Sequence, residues 1–420
     1  MREKYSYYPF FILVGIYIGY LQIVNRDMIF YGLYIFLFVF LLFNQSKQFG
    51  MPRNVFSIGT FIWLIYMIVS VYHTYSIDSG LKYSIVIIIF SISGIIFSGL
   101  SNWTDIFFRC LVLFLTGHVL FTFFSIFFTD SALRISGMLL DDAAQELTRR
   151  WAYEMNHYAG LSGQTVINAF FFAILLGITV SEILIQRKSY IKVVLCGIAV
   201  LLFILLIMTG KKASIFVVIF AVALTVFFYY FNTLSRDKIL KIYFSVSLLI
   251  IGVLFCGILL INKEMFNSFM GTSIVSRGRI YNDLGTFFSQ APLWGNGVDS
   301  ITFYVGHSAH NNYIQLLCEY GIIGFGLMLF IQVAIIVDIL RLSGKYMKQK
   351  VLDNAGKRVV LFFIFYQIYF IVTGLFESTL FNYRMYLIYI ISIAACYSVF
   401  NFKGKVKNEK NTVCSWKSIG

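Results

Sequence analysis

Long apolar runs separated by short charged segments dominate the chain. Twelve runs stand out, at about 8–24, 28–44, 55–75, 83–100, 110–128, 165–185, 193–209, 213–231, 242–261, 314–340, 359–376 and 385–400. Each approaches or exceeds the roughly 18–20 residues that an α-helix needs to cross the hydrocarbon of a bilayer. A membrane β-barrel would show segments of about ten residues with alternating polarity, whereas Val193–Met208 is apolar throughout. The pattern predicts an all-α polytopic membrane protein with about 12 transmembrane helices.

An even number of crossings puts both termini on one side, and charge decides which. With the termini in the cytoplasm, 22 of the 33 basic residues and 7 of the 19 acidic residues fall inside, a balance of +15 against −1 outside. Basic residues concentrate in cytoplasmic loops, so the assignment follows. Two segments that exceed a turn then fall on the outer face, and long connections of this kind usually carry function. The expected organisation is N-terminal membrane helices over 1–128, a first outer loop over 129–164 and central membrane helices over 165–261. A large outer loop over 262–313, C-terminal membrane helices over 314–400 and a basic cytoplasmic tail over 401–420 complete it.

Composition narrows the class further. The chain is 59% hydrophobic and 12% charged, with a mean hydropathy of +0.82, where soluble domains are about 25% charged. A soluble enzyme, a disordered chain and a disulfide scaffold are thereby excluded. The net charge of +14 does not indicate nucleic acid, because the basic residues lie between apolar runs and in the tail. The six cysteines show no metal-ligand spacing and mostly sit within apolar runs, as small apolar fillers do.

Candidate chemistry gathers on the outer side. His310, Asn311, Asn312, Gln315 and Glu319 lead into an apolar span, with Asn311, Gln315 and Glu319 four apart on one helix face. An ionisable group at membrane depth marks a functional cavity, although a polar stripe that only bonds neighbouring helices would have the same spacing. Arg277 and Arg279, separated by Gly278, can present forked donors to a phosphate; two solvated loop charges would read the same. Lys211 and Lys212 occupy a very short turn between two spans, where ammonium groups meet a helix start. The alternative is snorkelling at a helix end. In the first outer loop, Glu146 with Arg149 and Arg150 has the spacing of a short solvated helix with internal ion pairs. Asp141-Asp142 offers a weaker metal-binding alternative. Glu377 and Arg384 flank the last outer turn, and Arg384 is a further phosphate candidate.

Three stretches in order carry a resemblance: Ser276-Arg277-Gly278-Arg279-Ile280-Tyr281, then Ala291-Pro292-Leu293-Trp294-Gly295-Asn296-Gly297, then His307 through Gly324 with His310-Asn311-Asn312-Tyr313-Ile314-Gln315, Glu319 and Gly321. Together they resemble the O-antigen ligase and polymerase superfamily, most closely its O-antigen and capsular repeat-unit polymerases. The chain departs from that pattern at Lys211, where the superfamily often carries arginine. The resemblance implies a GT-C-like membrane glycosyltransferase of the bacterial cytoplasmic membrane, acting on its outer face without metal, cofactor or nucleotide sugar. The donor it implies is an oligosaccharide on undecaprenyl pyrophosphate. Further partners would be membrane lipids, a chain-length regulator and a flippase. In this reading His310, Arg279 and Glu319 are catalytic, and Lys211, Lys212, Arg277, His307, Asn311 and Arg384 bind substrate. A ligase acting on lipid A core or protein shares the motif. A flippase for lipid-linked oligosaccharide would instead need charged residues along a path through several spans.

Overall fold

The computed structural model describes residues 6–24, 27–45, 52–233, 273–306, 308–348 and 351–417. Among the described residues the protein is an all-α polytopic membrane protein without a strand. The N-terminal part comprises α1 (Tyr8–Val24), α2 (Asp27–Asn44), α3 (Val55–Ser70), α4 (Ile77–Gly99) and α5 (Thr104–Phe127). Two short helices, α6 (Thr129–Leu139) and α7 (Asp142–Met155), precede α8 (Thr165–Ile185), α9 (Ser189–Met208) and α10 (Lys212–Thr233). The remainder comprises α11 (Ser273–Gln290), α12 (Ser300–Val305), α13 (Asn312–Lys348), α14 (Asn354–Thr373) and α15 (Tyr383–Lys417).

Nine helices among the described residues are long and apolar enough to cross a membrane, and Tyr8–Tyr20 and Ile29–Asn44 are shorter apolar helices. The apolar run at 242–261 lies outside the described residues. Enclosed helices α8, α14 and the first half of α15 form the middle of the bundle, while α9 is mostly exposed. The exposed residues include Phe36, Phe43, Leu113, Val193 and Phe330. In water such a surface would aggregate; in lipid it is the face that meets acyl chains, because helices satisfy their own backbone polar groups.

Polar contacts fix the helices where apolar packing alone would let them slide. Asn168 on α8 donates to Thr122 Oγ1 and to the Tyr158 carbonyl, both at 3.0 Å. Tyr386 and Ser91 share a hydrogen bond of 2.7 Å between α15 and α4. One end of the bundle carries an ion-pair group: Arg358 at the start of α14 contacts Glu182 and lies 3.6 Å from Asp105, which also pairs with Arg109 at 3.0 Å.

The first long segment between apolar runs, 129–164, is largely helical. Asp141 caps α7, its Oδ1 accepting from Ala144 N–H at 2.7 Å. The ion pair formed on this helix is Arg150–Glu154 at 3.0 Å, one turn further on than the spacing of Glu146 with Arg149 and Arg150 suggested. In the second such segment α11 and α12 share a small apolar core with the start of α13, made of Leu284, Phe287, Ile301, Ala309 and Cys318.

Candidate active site

The long helix α13 is broken near its start. Gly321 has φ 65° and ψ −175°, a left-handed conformation that a residue with a side chain adopts only under strain. The break leaves backbone groups without helical partners, and the preceding loop supplies them. Ile322 N–H donates to the Pro292 carbonyl at 2.9 Å and Ile323 N–H to the Leu293 carbonyl at 3.2 Å. In return the Cys318 and Glu319 carbonyls accept from Asn296 and Gly297 N–H, each at 2.9 Å. Gly295, with φ 81°, lies so close that an added Cβ would stand 2.3 Å from the Glu319 carbonyl oxygen. The Pro-Leu-Trp-Gly-Asn-Gly turn is thus the clamp for a broken membrane helix.

Glu319 is fully buried at this junction. Its Oε1 accepts from Gln315 Nε2 at 3.0 Å and its Oε2 from Asp299 N–H at 3.1 Å. Gln315 and Glu319 therefore do share one helix face, and the Glu319 carboxyl group is bonded to the residue that precedes α12. The carboxylate beside His310 is instead Glu377, whose Oε2 lies 3.3 Å from His310 Nδ1. His310 has φ 50°, so its backbone turns sharply just before α13 begins.

The next two residues lock that turn. Asn311 Oδ1 caps α13 by accepting from Tyr313 and Ile314 N–H at 2.9 and 3.1 Å, and its Nδ2 donates to the Leu375 carbonyl at 3.0 Å. Asn312 is buried; its N–H donates to the Gly374 carbonyl at 2.7 Å and its Nδ2 to Thr379 Oγ1 at 2.7 Å, while its Oδ1 accepts from Leu380 N–H at 2.9 Å. The His-Asn-Asn motif is thereby fastened to the α14–α15 connector that carries Glu377. Arg384 follows that connector in the first turn of α15 and is buried.

Lys211 and Lys212 sit at the same end of the bundle, in the α9–α10 turn. Ser214 in the first turn of α10 hydrogen-bonds Tyr369 near the end of α14, and Glu377 acts electrostatically on the same Tyr369. The lysine turn and the His310–Glu377 pair therefore both abut the end of α14. Arg277 and Arg279 fall in the first turns of α11; their side chains, and His307 entirely, lie outside the described residues.

Two further residues join this set. Glu377, which the sequence marked only as flanking the last turn, is separated from His310 by 67 positions, so three-dimensional proximity alone pairs the two. His157, in the α7–α8 connector, packs its ring on Gly210 of the lysine turn. Burial and then the ammonium groups of Lys211 and Lys212 hold this imidazole below its ordinary pKa. Arranged together, these groups can neutralise a phosphate-bearing ligand and accept a proton beside it.

No curated protein matches the chain. Residues 197–330, which hold the lysine turn, α11, the clamp and the start of α13, match the family described as O-antigen ligase. That family belongs to glycosyl-transfer enzymes of O-antigen synthesis. The broken helix and the His-Asn-Asn turn fall within this matched stretch, and the match supports placing it in the O-antigen ligase and polymerase superfamily.

Proposed function

We propose that this protein polymerises polysaccharide repeat units at the outer face of the bacterial cytoplasmic membrane, with both termini in the cytoplasm. The donor is a glycan on undecaprenyl pyrophosphate, and the acceptor is a lipid-linked repeat unit. The observation that carries this reading is the His310–Glu377 pair at the end of the bundle that also holds Lys211 and Lys212.

In this mechanism a hydroxyl of the acceptor attacks the anomeric carbon of the donor's first sugar. The new glycosidic bond forms as the bond to the diphosphate oxygen breaks, and the electron pair leaves with the diphosphate. His310 takes the hydroxyl proton, and Glu377 orients the ring and balances the imidazolium. Lys211 and Lys212, with Arg277 and Arg279, stabilise the charge that develops on the leaving group. A diphosphate leaves readily, so neither a general acid nor a metal is required. A single displacement inverts the anomeric centre.

The family description favours a second reading, a ligase that uses the same donor and delivers the glycan to lipid A core or protein. Glycan ladders separate the two. Under the polymerase reading, His310→Ala leaves one repeat unit on the final acceptor and lowers turnover by about 10²–10⁴-fold. Under the ligase reading, full-length glycan accumulates on the lipid carrier. An unchanged ladder removes His310 from the reaction.

A further inference from the structure

The connector that delivers His157 is fixed from both sides. Asn156 ends α7 in the left-handed region, with φ 53° and ψ 37°. His157 N–H donates to the Trp151 carbonyl at 2.9 Å, closing the end of that helix, and Tyr158 N–H donates to the Met208 carbonyl at 2.9 Å. The last bond ties the connector to the end of α9, immediately before the lysine turn. Gly210 occupies the centre of that turn with φ 71°. An added Cβ there would lie 2.2 Å from His157 Cε1 and 2.3 Å from both Cδ2 and Nδ1. Three ring atoms at nearly equal distance mean that the imidazole lies flat on the glycine, which has no side chain to hold it away.

The charges acting on the ring are the ammonium groups of Lys211 and Lys212. On its own helix, Arg150 and Glu154 pair with each other at 3.0 Å, and Tyr153 donates to Asp130 on α6. An imidazolium beside two ammonium groups is repelled; a diphosphate between the three groups reverses that field.

We propose that His157 is a third ligand of the donor diphosphate, beside Lys211 and Lys212, and that it takes up a proton when the anion enters and releases it when the anion leaves. The inference rests on the lysine turn being the diphosphate site of the proposed reaction. It adds a proton-linked component: the loaded site carries one positive charge more than the empty one. Because the loaded site binds one proton more than the empty one, donor affinity rises as pH falls through the window between the two imidazole pKa values.

The test is equilibrium binding of farnesyl-pyrophosphoryl-N-acetylglucosamine to the full chain in lipid nanodiscs. This probe is a diphosphate diester whose own charge stays constant between about pH 6 and about pH 8. One coupled proton limits the slope to about one decade of affinity per pH unit. Wild-type protein is expected to bind several-fold more tightly at about pH 6 than at about pH 8. H157Q removes that slope and binds as the wild type does at about pH 8. H157K carries a permanent charge and binds at about pH 8 as tightly as the wild type does at about pH 6. K211Q/K212Q weakens binding at least about tenfold. Lysine-dependent binding that is flat with pH in the wild type, or that keeps its slope in H157Q, overturns the role of His157 and leaves the lysine site standing. Undiminished binding by K211Q/K212Q overturns both.

Discussion

Glu377 gives the sharpest prediction at the scale of single residues. Glu377→Gln keeps a hydrogen-bond partner for His310 Nδ1 and removes the negative charge that would balance an imidazolium. Turnover is expected to fall about 10- to 100-fold with KM little changed, measured as incorporation of repeat units by purified protein. A change confined to KM would make Glu377 an acceptor contact instead. His310 stands in a motif that the sequence displays, and its neighbours Asn311 and Asn312 were visible with it. What they hold was not: the spacing put Asn311 on a polar stripe that either lines a cavity or bonds neighbouring helices, and in the structure Asn311 caps α13 while Asn312 fastens the α14–α15 connector. Glu377 stood out only as a charge beside the last turn, and nothing local assigned a partner to it or to His157. Each becomes meaningful through a partner more than fifty positions away, and one sequence holds no trace of such pairings.

At the scale of elements the decisive feature is the break in α13. Gly321→Ala would force a side chain into a left-handed position and set its Cβ 2.2 Å from the Leu293 carbonyl oxygen. The expected cost is about 2–4 kcal/mol, seen as a lowered Tm of the detergent-solubilised protein together with loss of polymerisation. Normal stability would mean that the clamp can relax. The apolar run from 314 to 340 is legible as a span, but its discontinuity is not, because the bonds that compensate it come from Pro292 and Leu293 in a preceding loop. Conversely, the segments over 129–164 and 262–313 carry no long apolar run, yet α6, α7 and α11 form there; the charge spacing at Glu146, Arg149 and Arg150 marked a short helix at α7, and nothing comparable marked the other two. Short amphipathic helices bury one stripe, as Leu284 and Phe287 do, and such a stripe is easily hidden among long membrane runs.

At the scale of the whole molecule, charge organises the two ends of the bundle. Arg358 gathers Asp105 and Glu182 where α5, α8 and α14 meet. Arg358→Met would remove the cation that Glu182 and Asp105 share, leaving Asp105 its pair with Arg109, and is expected to destabilise the bundle by about 1–3 kcal/mol, read as a lower Tm. An unchanged Tm would mean that water compensates both carboxylates. Orientation is tested by a reporter fused after Phe288, expected to read as outside; a cytoplasmic reading would invert the proposed topology. The overall class was the most legible property, since hydrocarbon thickness imposes run lengths on any chain that crosses it. Helix order around the bundle was not legible, because lipid-facing and helix-facing apolar residues have the same composition.

The clamp has one more attachment. Thr74, between α3 and α4, donates its hydroxyl to the Val298 carbonyl at 2.6 Å, across 224 positions of chain. During synthesis this early connector is made long before its partner exists, and must wait at that end of the bundle. The segment that carries Val298 can therefore reach its final shape only after α13 has emerged from the ribosome and entered the membrane. A chain truncated before that helix would display a receptive but unoccupied ledge, so the activity should mature late and all at once as translation finishes.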